Sequence, residues 1–141
     1  MDQIVIESKI DSILRCVHRI NSRLPGTIEL FLQDLDAQDV VVLNLSRCVQ
    51  LSVDIAMHIC AASSDKLPQT MGQSFDVLLS IGVIKESIAV KMKKSVGFRN
   101  IAVHNYDEID LNLTYEIAHE HLDDFVEFIR QVQAYFARVF N

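Results

Sequence analysis

Ile6, Ile10, Ile13, Val17, Ile20 and Leu24 recur four and three residues apart in alternation, the spacing that keeps side chains on one stripe of an α-helix. Pro25-Gly26 ends that helix, because proline cannot continue the ladder and glycine suits a C-terminal cap. Residues 27–38 read as a short amphipathic turn or helix leading to a break around 36–39, where Asp39 is placed to cap the next helix. From about 40 to 62 the chain carries two apolar stripes. One is Val41, Leu45, Cys48, Ser52, Ile55 and Ile59; the other is Val42, Val49, Val53, Ala56 and Cys60. Arg47, Gln50, Asp54 and His58 form a narrow polar strip between them. A helix coated this widely must be covered on two sides, by bundle partners or by another protomer.

Residues 63–68 read as a loop. A short helix over about 70–80 directs Phe75, Leu78 and Leu79 inward, and Gly82 breaks it. Ile84, Ile88, Met92 and Val96 begin the next helix. The last, about 113–140, repeats Ala118, Leu122, Phe125, Ile129, Val132, Phe136 and Val139 at alternating steps of four and three. No strand alternation, internal repeat or domain boundary interrupts the pattern. The chain is expected to be all-α, a single domain over 1–141, folded as an up-and-down bundle of four long helices plus a short one. The broad apolar stripes point to a homodimer.

Composition agrees. Half of the 141 residues are apolar, with only four glycines and two prolines, which favours long elements around a real core. No stretch approaches about 18 uninterrupted apolar residues, so no membrane helix is expected. Met1-Asp2-Gln3 is acidic and the apolar run after it stops at Glu7, unlike a secretory signal. Cys16, Cys48 and Cys60 are odd in number and lack Cys-x-x-Cys spacing, which argues for reduced thiols over a disulfide framework or zinc site. Cys16 lies off the apolar stripe of its helix, so it is expected to be exposed, with no neighbour that would lower its pKa.

The net charge of −6 argues against indiscriminate nucleic-acid binding. The charges are segregated, however. Residues 85–106 contain Lys85, Lys91, Lys93, Lys94 and Arg99 against Glu86 alone, whereas residues 107–127 hold acids and no Lys or Arg. Two solvated faces would account for this, but any anion site belongs to the first stretch, with Lys91, Lys93 and Lys94 as its lysines.

Directly after those lysines comes Gly97-Phe98-Arg99-Asn100-Ile101-Ala102-Val103-His104-Asn105-Tyr106. It places a permanent cation, an amide, an imidazole and a phenol within eight residues. Arginine clamps phosphate oxygens bidentately, and histidine exchanges a proton near neutrality. On a straight helix Arg99 and His104 point about 140° apart. To act together they need the helix to end or bend between them, or a second copy of the chain to complete the site. Asn105 and Asp107 favour an ending there. Elsewhere, His119 and His121 flank Glu120 but do not share a helix face, which disfavours a metal site. His58, four residues after Asp54, reads as a structural hydrogen-bonded pair with it.

Arg-Asn-x-x-x-His-x-Tyr after Val-Gly-Phe, late in a small helical chain, resembles the signature of the HEPN superfamily and, more narrowly, of the HepT toxins. The likeness extends through Val41–Arg47 and Asp54–His58, Gly82-Val83-Ile84 before Met92, and Asp123-Asp124-Phe125. It implies a prokaryotic, cytoplasmic toxin: a metal-independent endoribonuclease without cofactor, its composite site formed across a two-fold dimer. It further implies Arg99 and His104 as the catalytic pair, Asn100 as a supporting residue, RNA as substrate, and Tyr106 as the acceptor of AMP from a cognate minimal nucleotidyltransferase antitoxin. The alternatives are a non-catalytic substrate-binding subunit of a nucleotidyltransferase, which suits the acidic charge, and a purely structural helical adaptor.

Overall fold

The computed structural model of the chain describes residues 2–63 and 65–140. Within them lie α1 (Gln3–Arg23), α2 (Ile28–Gln33), α3 (Leu35–Ser63), α4 (Met71–Ser80), α5 (Glu86–His104), a 3₁₀ turn (Tyr106–Glu108), α6 (Leu111–Glu120) and α7 (Leu122–Phe140). The four long helices touch in the cyclic order α1, α3, α5, α7 and back to α1, which closes a four-helix bundle. Three short helices accompany them rather than the one expected.

α3 contacts every other α-helix. That is why it can be apolar around more than half its circumference: all eleven positions of its two stripes are buried. It is also long and apolar enough to cross a membrane by composition, but more than half of that stretch is buried inside the bundle. Asn44 is buried among the stripes. Its amide donates to the Val40 carbonyl at 2.8 Å, while its Oδ1 has no partner. Phe75 of α4 and Phe128 of α7 are fully buried and close the centre.

Local chemistry sets the ends. Asp2, Thr27, Thr70 and Asp110 each accept backbone N–H bonds at the start of a helix. α1 stops before Pro25-Gly26 as expected, but Gly26 is not a left-handed cap. That role belongs to Gly82, at φ +82°, where the Gly82 and Val83 amides bond back to Leu79 and Leu78 and close α4. Of the expected loop 63–68, Ser63 belongs to α3, Ser64 lies outside the described residues, and 65–68 are irregular.

Four further expectations are corrected. α3 begins at Leu35 without a break at 36–39; its cap is Asp34, whose Oδ1 accepts from Ala37 N at 3.0 Å, so Asp39 is an interior residue of the helix. The last helix divides at His121, where α6 ends and α7 begins. A one-residue kink preserves the phase of the stripe on either side, so periodicity passes over it. Cys16 is buried, not exposed, because α1 packs along α3 and Cys16 lies against Cys48. A hydrogen bond from the Cys48 thiol, with Arg47, Arg19 and Arg15 nearby, lowers Cys16 to about 7 despite burial, while Cys48 is pushed up. Lastly, His58 does not pair with Asp54. Its Nε2 accepts from Asp2 N at 3.3 Å, and Asp54 instead accepts from Gln50 and pairs with Lys9.

Candidate active site

The Gly97–Tyr106 segment occupies the last two turns of α5 and the 3₁₀ turn after it. Ile88, Ala89, Met92, Val96, Phe98 and Ala102 anchor α5 to the core. The polar residues of the motif therefore emerge on its outer side. Arg99 is half-buried, whereas Asn100 and His104 are exposed. Arg99 Nη1 donates to Asn100 Oδ1 at 3.1 Å, so the amide oxygen steadies the guanidinium and leaves its remaining N–H groups available.

α5 is unbroken from Arg99 to His104, and the helix ends only at the Asn105 cap. Of the ways the pair could cooperate, an intervening end or bend is thus removed. On the continuous helix the two side chains diverge by about 140°. A single α5 thus starts the two side chains toward different sides of the helix.

The turn after α5 is tied to a distant element. Tyr106 Oη donates to Asp39 Oδ1 at 2.7 Å, across 67 residues of sequence. This is the role Asp39 takes in place of capping. The carboxylate beside the phenol, together with slight burial, raises the Tyr106 pKa above its usual value near 10. The ring remains 50% exposed, so a partner can reach it.

The lysines do not form a single patch. Lys91 pairs with Asp124 of α7 at 3.4 Å, and Lys93 with Asp76 of α4 at 3.1 Å, so they face opposite flanks of α5. Lys91 and Lys94 border a cavity of about 500 Å³ between α5, α6 and α7, with Ser95, Phe98, Glu116 and His121 also on its wall. The expected cluster is split because residues two apart on a helix point about 160° from one another.

The histidines of α6 have separate surroundings. His119 stacks on Tyr115 at 5.6 Å. His121 pairs with Asp124 at 3.7 Å and lies with Glu116 and Glu120 in an exposed group whose ligand atoms are all within 4.8 Å of one another. That grouping includes His121 but not His119, and it lies where α6 ends at His121. Exposed acidic groups adopt such spacing as an ordinary solvated face.

The chain resembles known proteins along nearly its whole length. It is 40% identical over 134 residues, 95% of its length and 99% of the other's, to the mRNA nuclease HepT of Shewanella oneidensis. It is 23% identical to the tRNA nuclease HepT of Aphanizomenon flos-aquae, over 96% of this chain and 92% of that one. Among solved structures, the tri-AMPylated Shewanella oneidensis HEPN toxin in complex with its MNT antitoxin superposes with a TM-score of 0.86 at 39% identity, covering 95% of this chain and 99% of that one. The cytosolic protein YutE of Bacillus subtilis shares the fold at TM-score 0.84 with 15% identity, covering 96% of this chain and 91% of that one. The family profile of HepT-like ribonucleases matches residues 13–132. The Arg99–His104 helix and its Tyr106 turn therefore sit in a member of the HepT-like ribonuclease family.

Proposed function

We propose that the chain is the toxin of a toxin–antitoxin pair, a cytoplasmic endoribonuclease that works as a homodimer and needs no metal. The observation that carries the reading is the unbroken α5 between Arg99 and His104. Two such helices related by a two-fold axis bring an arginine and a histidine of opposite copies to one phosphate, without either helix having to bend. RNA brings its own nucleophile. The ribose 2′-oxygen attacks the adjacent phosphorus as its proton passes to one His104 imidazole. The bond from phosphorus to the 5′-oxygen breaks, and that oxygen takes a proton from the second imidazole. The products are a 2′,3′-cyclic phosphate and a 5′-hydroxyl. Arg99 stabilises the charge on the non-bridging oxygens, with Asn100 holding its guanidinium, and Lys94 adds positive potential on α5, whereas Lys91 and Lys93 are held by Asp124 and Asp76.

Tyr106 is the switch of this reading. The relative solved with its antitoxin is AMPylated, and Tyr106 is a reachable phenol two residues beyond His104. AMP there adds a negative phosphate and a bulky base beside the RNA path, which inhibits by repulsion and blockage. A cognate minimal nucleotidyltransferase acts as the antitoxin.

The test is cleavage of bulk cellular RNA by the purified chain in excess EDTA, with His104→Ala prepared alongside. The expected result is cleavage by the parent with 5′-hydroxyl ends and a loss of about 10²–10⁴-fold in the variant. Products carrying 3′-hydroxyl and 5′-phosphate ends would overturn the mechanism. Two folded, dimeric, AMP-free and inert proteins would favour a non-catalytic binding subunit.

A further inference from the structure

Asp39 and Tyr106 are brought together only by the fold, and their bond is short and aimed. The Tyr106 hydroxyl donates to Asp39 Oδ1 at 2.7 Å, while the ring is half exposed and Asp39 is itself exposed on α3. A structural tie would be expected inside the bundle. This one is open to a partner and ends on the oxygen that any transfer to Tyr106 must use.

Resting on the reading of Tyr106 as the AMP acceptor, we infer that Asp39 is the base of that modification, the carboxylate that takes the tyrosine proton as the adenylyl group arrives. The donor is a nucleoside triphosphate held by the nucleotidyltransferase. Tyr106 Oη forms a bond to the α-phosphorus, the bond from that phosphorus to the α–β bridging oxygen breaks, and pyrophosphate leaves. The phenolic proton moves along the existing hydrogen bond to Asp39 and is then lost to water. A carboxylate accepting a hydroxyl proton late in transfer is an established arrangement in phosphoryl-transfer enzymes. Here the toxin would contribute it, so the substrate protein carries part of the machinery that silences it.

The surroundings fit. Asp36 precedes Asp39 on the same helix, and Asp107, Glu108 and Asp110 follow Tyr106, with no Lys or Arg from 107 to 127. This ground repels a free triphosphate, so the chain supplies a nucleophile and a base but no phosphate clamp. The cations must come from the partner, and the chain alone does not modify itself.

The experiment follows transfer of label from α-labelled ATP to AMP-free chain by its cognate nucleotidyltransferase, with initial rates measured against chain concentration. Tyr106→Phe is the control for the acceptor: label taken up at the parent's rate would sink both readings. With that control unlabelled, Asp39→Asn decides the present one. Asparagine keeps the shape and still accepts the tyrosine hydrogen bond, but it cannot take the proton. The expected result is a kcat at least about 100-fold lower with KM little changed and thermal unfolding like the parent's. Labelling of Asp39→Asn at the parent's kcat, or a defect confined to KM, would overturn the role.

Discussion

The rings of Phe75 and Phe128 meet edge to face, 5.7 Å apart and at 85°, where α4 and α7 converge on the centre of the bundle. Both are fully buried, so Phe128→Ala removes a ring contact and leaves a cavity that close-packed helices fill poorly. The expected loss is about 3–5 kcal/mol, a large part of the stability of an ordinary domain. The urea midpoint measures it; a shift worth less than about 1 kcal/mol would mean that α4 and α7 collapse onto each other freely.

Mixing the parent with the Arg99→Ala/His104→Ala double variant tests the cross-protomer site. The double variant is expected to be inactive, and heterodimers formed by unfolding and refolding the two together are expected to cleave at least about 10²-fold more slowly than the parent, because each phosphate then meets only one His104. Heterodimers that keep half of the parent's activity would place the whole site within one copy.

Arg99→Lys keeps the charge and loses the planar fork that grips two oxygens and meets Asn100. Single-turnover cleavage is expected to fall by about 10²–10³-fold, the usual loss when one oxyanion donor is removed. A near-normal rate would show that Arg99 acts only as a point charge.

Cys16 gives a pH signature. Its thiol is lowered to about 7 by the Cys48 hydrogen bond and then by the arginines, below the ordinary value of about 8.5. A depressed pKa stabilises the fold above the unfolded value, and that contribution is lost as pH falls through about 7. Thiolate absorbance at 240 nm should titrate near neutrality and move upward in Cys48→Ala; an unmoved midpoint would assign the shift to the arginines alone.

Gly82→Ala isolates a backbone effect. A Cβ there meets nothing within 4 Å, but φ is +82°. The expected cost is about 1 kcal/mol, from the left-handed backbone alone, visible as a lower denaturation midpoint with unchanged slope.

How much of this the sequence disclosed depends on the range of each interaction. The α3 stripes and the long helices were legible because helical periodicity is local and repeated many times. The Arg99–His104 motif stands out in the sequence because its members are neighbours there. Asp34 and Asp39 both suit a cap by residue type, and only the packing of α2 against α3 gives the role to Asp34. The partner of Asp39 is 67 residues away. Cys16 looked exposed from the stripe of α1 alone, since nothing in that helix announces how deeply α3 presses against it. The opposed directions of Lys91 and Lys93 follow from the angle per residue of a helix.

α3 holds the bundle together by touching everything, and that carries a cost in the life of the protein. Loosening of any single neighbour uncovers part of the same long apolar helix. Partial opening is therefore never innocuous: each route presents the chain's stickiest segment to chaperones, proteases or other copies. Opened molecules are therefore the ones that quality control can find and remove.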